Sequence, residues 1–111
     1  MQKTCSPCTS KTPQLNKIEI SKRLKELPEY ELLEANDIKR ISKTYHFRNF
    51  KEALAFTNAL SQIAEKENHH PQIILEWGRV QVVWWTHAIG GLHANDFVMA
   101  YKTEQLFLNF L

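Results

Sequence analysis

The sequence predicts an α+β domain: a four-stranded antiparallel sheet with three helices packed on one face, in the order α-β-β-α-β-β-α. Three observations predict it. Residues 49–67 carry apolar side chains at helical spacing, between an Asn cap and a proline stop. Residues 79–87 alternate with period 2. Turn signals at Asn36-Asp37 and Gly78 join short apolar segments into two hairpins, with that helix between them.

Each element has its own local reason. Asn16 can cap a first helix, Glu19 stands three residues on, and Leu15 with Ile20 fits a hydrophobic staple. Ile20, Leu24 and Leu27 share a face, and Pro28 is expected to stop the helix. Residues 30–35 and 38–47 read as strands around the Asn36-Asp37 turn, which lacks the glycine of the strongest hairpins. In the main helix Asn49 caps and Glu52 is placed for a capping box. Phe50, Ala53, Leu54, Phe56, Leu60, Ile63 and Ala64 form its expected inner face. The helix must end near Asn68, because Pro71 disfavours helical geometry at His70. Residues 72–77 and 79–87 form the second hairpin. Val80, Val82, Trp84 and Thr86 share one face of its second strand, and Gln81, Val83, Trp85 and His87 the other. Apolar residues on both faces predict a central or doubly covered strand. A last helix starts near Ala94, with Asn95 and Asp96 in its first turn and Phe97, Tyr101 and Leu108 expected inside.

Composition narrows the class. The chain has 111 residues, enough for one domain and too few for two self-sufficient cores. Residues 15–111 read as that domain and 1–14 as a flexible tail. A formal charge of +2 argues against nucleic-acid binding, which needs a basic excess on one face. No apolar run approaches the ~20 residues of a membrane span. No signal-peptide core is visible at the N-terminus, so the cytoplasm is the expected location. A modest core and free sheet edges favour association with a second copy.

The two cysteines form one Cys5-Ser6-Pro7-Cys8 unit. A CxxC can be redox-active or half of a zinc site. Here it sits in a polar, proline-containing stretch with the first histidine at His46, which favours a tail without essential chemistry.

The histidines are less generic. His69 and His70 follow the long helix, and His87 ends the strongest strand. Pro71 biases His70 to an extended conformation, so the two neighbours should point to opposite sides. One can then face a cleft shared with His87. Imidazoles titrate near neutral pH and suit proton transfer in both directions. Glu65, one turn before His69, can orient it if the helix persists that far. Structural hydrogen bonding is the plainer role for any one of these histidines. A metal held by His69 or His70 with His87, His93 and Glu65 is a rival, without an HExxH pattern to support it. Trp77, Trp84 and Trp85 surround the same hairpin. Stacking on a flat heterocycle is one role for them, and core packing the expected one for Trp84. Asp96 favours a helix N-terminus and can accept a hydrogen bond beside Thr86-His87.

Together, Glu65-x-x-x-His69-His70-Pro71, Trp77, Trp85-Thr86-His87 and Gly91-Leu92-His93-x-Asn95-Asp96-Phe97 resemble the signature of the pterin-4a-carbinolamine dehydratases. His46-Phe47-x-x-Phe50 and Ala55-Phe56 are similar as well, so the resemblance spans roughly residues 24–108. Some bacterial members also share a Cys-rich leader. The resemblance implies the same α+β fold and dimers, in some members paired into tetramers. It implies dehydration of 4a-hydroxytetrahydropterin to quinonoid dihydropterin, the recycling step for aromatic amino acid hydroxylases, with no metal or other cofactor. It implies His69, His70 and His87 as the catalytic residues, with His69 and His87 as the acid/base pair and His70 mainly binding and positioning the pterin. Pro71, Thr86, Ala88 and Ile89 would line the pocket, with Glu65 and Asp96 behind. Some relatives also act as dimerisation cofactors of a transcription factor, so a non-catalytic partner or regulator is the alternative. Three positions depart from the family pattern: Tyr30 where many members have Trp, Asn68 where some have Asp, and His93 where Ser or Thr is common.

Overall fold

The computed structural model describes residues 5–111. The elements are α1 Lys17–Leu24, β1 Glu31–Ala35, β2 Ile38–His46, α2 Phe50–Glu67, β3 Gln72–Glu76, β4 Arg79–Trp84 and α3 Ala94–Leu108. A 3-10 turn at His87–Ile89 precedes α3. The four strands form one antiparallel sheet in the order β1-β2-β4-β3. The predicted element order and sheet are those observed, and β4 is internal.

Local sequence explains the boundaries. Asn16 Oδ1 accepts from the Glu19 N–H and the Glu19 carboxylate accepts from the Asn16 N–H, both at 2.9 Å, closing the capping box. The helix then ends at Leu24 rather than at Pro28. Turns bonding Leu27 to the Leu24 carbonyl and Tyr30 to that of Leu27 carry the chain on and bury Leu27. Asn36 and Asp37 take φ of 53° and 61°, the positive pair that a two-residue type I′ hairpin needs. Asn49 Oδ1 accepts from the Glu52 N–H at 2.8 Å. The Glu52 carboxylate does not return to Asn49, because it pairs with Arg48.

The inner face of the sheet carries Ile41, Tyr45, Val80, Val82 and Trp84, packed against Phe56 and Leu60 of α2 and Phe97 and Met99 of α3. Val83, on the outer face, is also buried, as an internal strand requires. Two helix stripes are narrower than expected. Phe50, in the first turn, is exposed, and so is Leu54, which at ~100° per residue stands roughly 120° from Leu60. In α3 the buried line runs through Phe97, Ala100 and Thr103, leaving Tyr101 and Leu108 exposed.

Tyr30 is buried, and its hydroxyl lies 2.8 Å from that of Tyr45. Tyr45 in turn donates to Glu104 of α3, which also takes the Lys43 ammonium. Tyr30 therefore braces sheet to helix and does not shape the cleft described below.

Residues 5–14 carry no helix or strand, but they are not detached. The Leu15 N–H donates to the Leu92 carbonyl at 2.8 Å, and Gln14 Nε2 to that of Ile89 at 2.9 Å. Cys5 packs against the core. Residues 1–4 of the expected tail lie outside the described residues. No helix among the described residues is long and apolar enough to cross a membrane.

Candidate active site

The end of α2 is decided by Asn68, which takes a left-handed φ of 52°. Asn tolerates this region better than most residues. The turn lets the His69 N–H bond the Ala64 carbonyl at 3.1 Å, and it sends the His69 ring inward. The ring is nearly buried and stacks on Trp84 with centroids 5.9 Å apart.

Its Nε2 meets Asp96 Oδ1 at 2.7 Å. Asp96 is wholly buried at the first turn of α3. Its other oxygen accepts from Thr86 Oγ1 at 2.8 Å and from the His93 N–H at 2.9 Å. One carboxylate thus joins the turn after α2, the end of β4 and the start of α3. A carboxylate acceptor at Nε2 favours the tautomer protonated there. Nδ1 then keeps its lone pair.

His70 lies half-exposed beside the same cleft, hydrogen-bonded to Glu65. The expected orientation of His69 by Glu65 is therefore replaced. The left-handed turn at Asn68 swings His69 toward α3 and leaves Glu65 to His70. Both adjacent histidines line the one cleft, together with His87.

His87 opens the 3-10 turn, in a loop closed by the Thr86 N–H donating to the Gly91 carbonyl at 2.8 Å. Its ring lies on Trp85, with centroids 4.4 Å apart and planes at 28°. The Arg40 guanidinium sits 4.1 Å from the centre of Trp85. An exposed imidazole is thereby given a fixed backing. Trp84 is core, as expected, while Trp77 is exposed at the hairpin tip.

The cleft between these groups has a volume of about 530 Å³. His69, His70, Thr86, His87 and Ala88 line it. Pro71 and Ile89 are not among its lining residues. Sequence reasoning missed the rest of the lining that comes from Cys5, Ser6, Pro7 and Cys8 and from Asn95, which bonds Ser6. No sequence signal could pair Ser6 with a residue 89 positions away. Among the described residues, no three His, Cys, Asp or Glu side chains group as a metal site. His93 caps α3, its Nδ1 accepting from the Asn95 N–H at 3.0 Å.

Fold and cleft define a small α+β domain whose cleft is lined by an Asp-held histidine and a second, ring-backed histidine. The comparisons agree. The family model described as pterin 4 alpha carbinolamine dehydratase matches residues 13–106. A protein of Saccharophagus degradans is 47% identical over 106 residues, covering 96% of this chain and 94% of its own length. One of Marinobacter nauticus is 45% identical over 106 residues, covering 96% of each. Both carry the name "Putative pterin-4-alpha-carbinolamine dehydratase". The crystal structure of a transcriptional coactivator/pterin dehydratase from Brucella melitensis superposes with a TM-score of 0.77 at 26% identity, covering 85% of this chain and 98% of that one. A pterin dehydratase-like RuBisCO assembly factor of the alpha-carboxysome shares the fold, with a TM-score of 0.60 at 20% identity over 70% of this chain and 88% of its own. The chain belongs to the pterin-4a-carbinolamine dehydratase family.

Proposed function

We propose that the protein dehydrates 4a-hydroxytetrahydropterin to quinonoid dihydropterin. The observation that carries this reading is the grip of Asp96 on His69, across a cleft shared with His87. The reaction breaks the C4a–O bond, removes a proton from N5 and forms the C4a=N5 double bond. One group must protonate the departing hydroxyl, which leaves as water, and another must accept the N5 proton.

His69 is suited to accept. Asp96 occupies its Nε2, leaves the Nδ1 lone pair free and stabilises the imidazolium that forms. His87, nearer solvent, is suited to donate and to be reprotonated from water. His70, held by Glu65, positions the heterocycle. Trp85 keeps the His87 ring from turning away. The water lost and the proton taken balance without an oxidant or reductant.

The test is the decay of carbinolamine absorbance. His69→Ala and His87→Ala should each slow it by ~10²–10⁴-fold, the usual share of a general acid or base. A wild-type rate no greater than buffer defeats the proposal. The same reading makes the chain a cytoplasmic partner of an aromatic amino acid hydroxylase, which would supply the substrate. It also makes it a homodimer or tetramer, for which β1 offers an edge with Leu32 and Leu33 exposed.

A further inference from the structure

We propose that residues 5–8 are a substrate-binding wall of the cleft and that Asn95 is the positioning residue that holds it there. This rests on the dehydratase reading for the identity of the substrate.

Asn95 is buried, and its amide is committed to the segment on both sides. Its Oδ1 accepts from the Ser6 N–H at 2.8 Å, and its Nδ2 donates to the Ser6 carbonyl at 2.6 Å and to Cys8 Sγ at 3.3 Å. Two antiparallel bonds between one side-chain amide and one residue's backbone leave that backbone no freedom to rotate. Glu67 adds a second grip, accepting from the Cys5 N–H at 3.0 Å. Farther along, Gln14 holds the Ile89 carbonyl of the loop that begins with His87. A Cβ on Gly91 would lie 2.3 Å from Gln14 Oε1, so the missing side chain leaves Gln14 its place.

The segment thus spans from the first turn of α3 to the His87 loop. Adjacent residues of that turn divide the work. Asp96 holds His69, and Asn95 holds the segment of residues 5–8 that lines the same cleft. The wall presents peptide groups and sulfur. Burial, then the nearby Glu67 and Asp96 carboxylates, push the Cys5 thiol up to about 12, and burial also raises Cys8. Both sulfurs therefore meet the cleft as neutral thiols. Neutral, polarizable sulfur suits contact with a flat uncharged heterocycle.

The full chain tests this with Asn95→Ala and with Cys8→Phe, which adds a ring to the wall from a half-buried position. Steady-state kinetics on the carbinolamine are measured for both. Thiol alkylation at pH 8 is followed by mass spectrometry with and without a stable oxidised pterin. Both variants are expected to raise KM about tenfold with kcat within twofold, because the wall binds ground state and transition state alike. Pterin is expected to slow alkylation of Cys8 in the wild type and to lose that protection in Asn95→Ala. A wild-type KM in both variants, or loss of kcat alone, overturns the wall and leaves the dehydratase reading standing. A wild-type chain that neither turns over carbinolamine nor binds pterin overturns both.

Discussion

Asp96 is a buried carboxylate whose charge is offset by three donors from three segments. Asp96→Asn keeps the shape but replaces an acceptor with a donor, facing His69, Thr86 or the His93 N–H. Because two donors meet Oδ2 and one meets Oδ1, the amide oxygen takes the Oδ2 place and the NH2 faces His69, whose tautomer reverses or whose ring loses its hold. We expect kcat to fall by ~10²-fold or more, with pterin binding largely kept, as stopped-flow absorbance and fluorescence titration would show. An unchanged kcat would detach Asp96 from the chemistry. At this scale the sequence was informative where chemistry is local. His69-His70-Pro71 and Thr86-His87 stand out as motifs, and Asp96 could be placed beside Thr86-His87. The partner of Glu65 could not be read, because it depends on one left-handed residue between helix and histidines. The strand pattern put His87 on the same face as Trp85, but their stacking depends on the 3-10 turn that opens at His87 once β4 has ended at Trp84, which period 2 does not announce.

That left-handed residue belongs to the element scale. Asn68→Ala should destabilise the protein by about 1 kcal/mol, because a Cβ without a polar side chain is disfavoured at positive φ. Asn68→Gly should hold or raise Tm. Thermal melts of the two variants test this. A melt of the Ala variant equal to wild type would mean that the turn relaxes freely. Asn36 and Asp37 show why the elements were mostly legible. Both tolerate positive φ, so the first hairpin closes without glycine. Period-2 and period-3.6 patterns placed the strands and helices to within a few residues. Errors arose where a competing contact won: Arg48 took Glu52 from its cap, and tertiary turns ended α1 before its proline.

At the scale of the molecule, two buried tyrosines and one partly buried cysteine link folding to pH. Burial raises Cys5 from 9.0 to about 12, and burial raises Tyr30 and Tyr45 above their ordinary 10.0, with Glu104 adding to both. The folded state therefore holds protons that the unfolded chain releases. The stability they contribute is full below about pH 9 and is lost as pH rises through the folded-state values. Urea midpoints should fall between pH 8 and pH 10.5, and Tyr30→Phe should flatten the slope. A midpoint independent of pH over that window would contradict the sign. Light scattering should find at least two chains per particle, and Leu33→Lys on the edge strand should shift the balance toward monomer. A wild-type monomer at all concentrations would remove the pairing. The attachment of Ser6 to Asn95 also has a consequence during synthesis. Ser6 is made 89 residues before its partner. At ~5–20 residues per second, roughly 4–18 s separate the two. Residues 5–8 then wait on Asn95 before they find their place, and a nascent chain cut short of Asn95 lacks that part of its cleft lining.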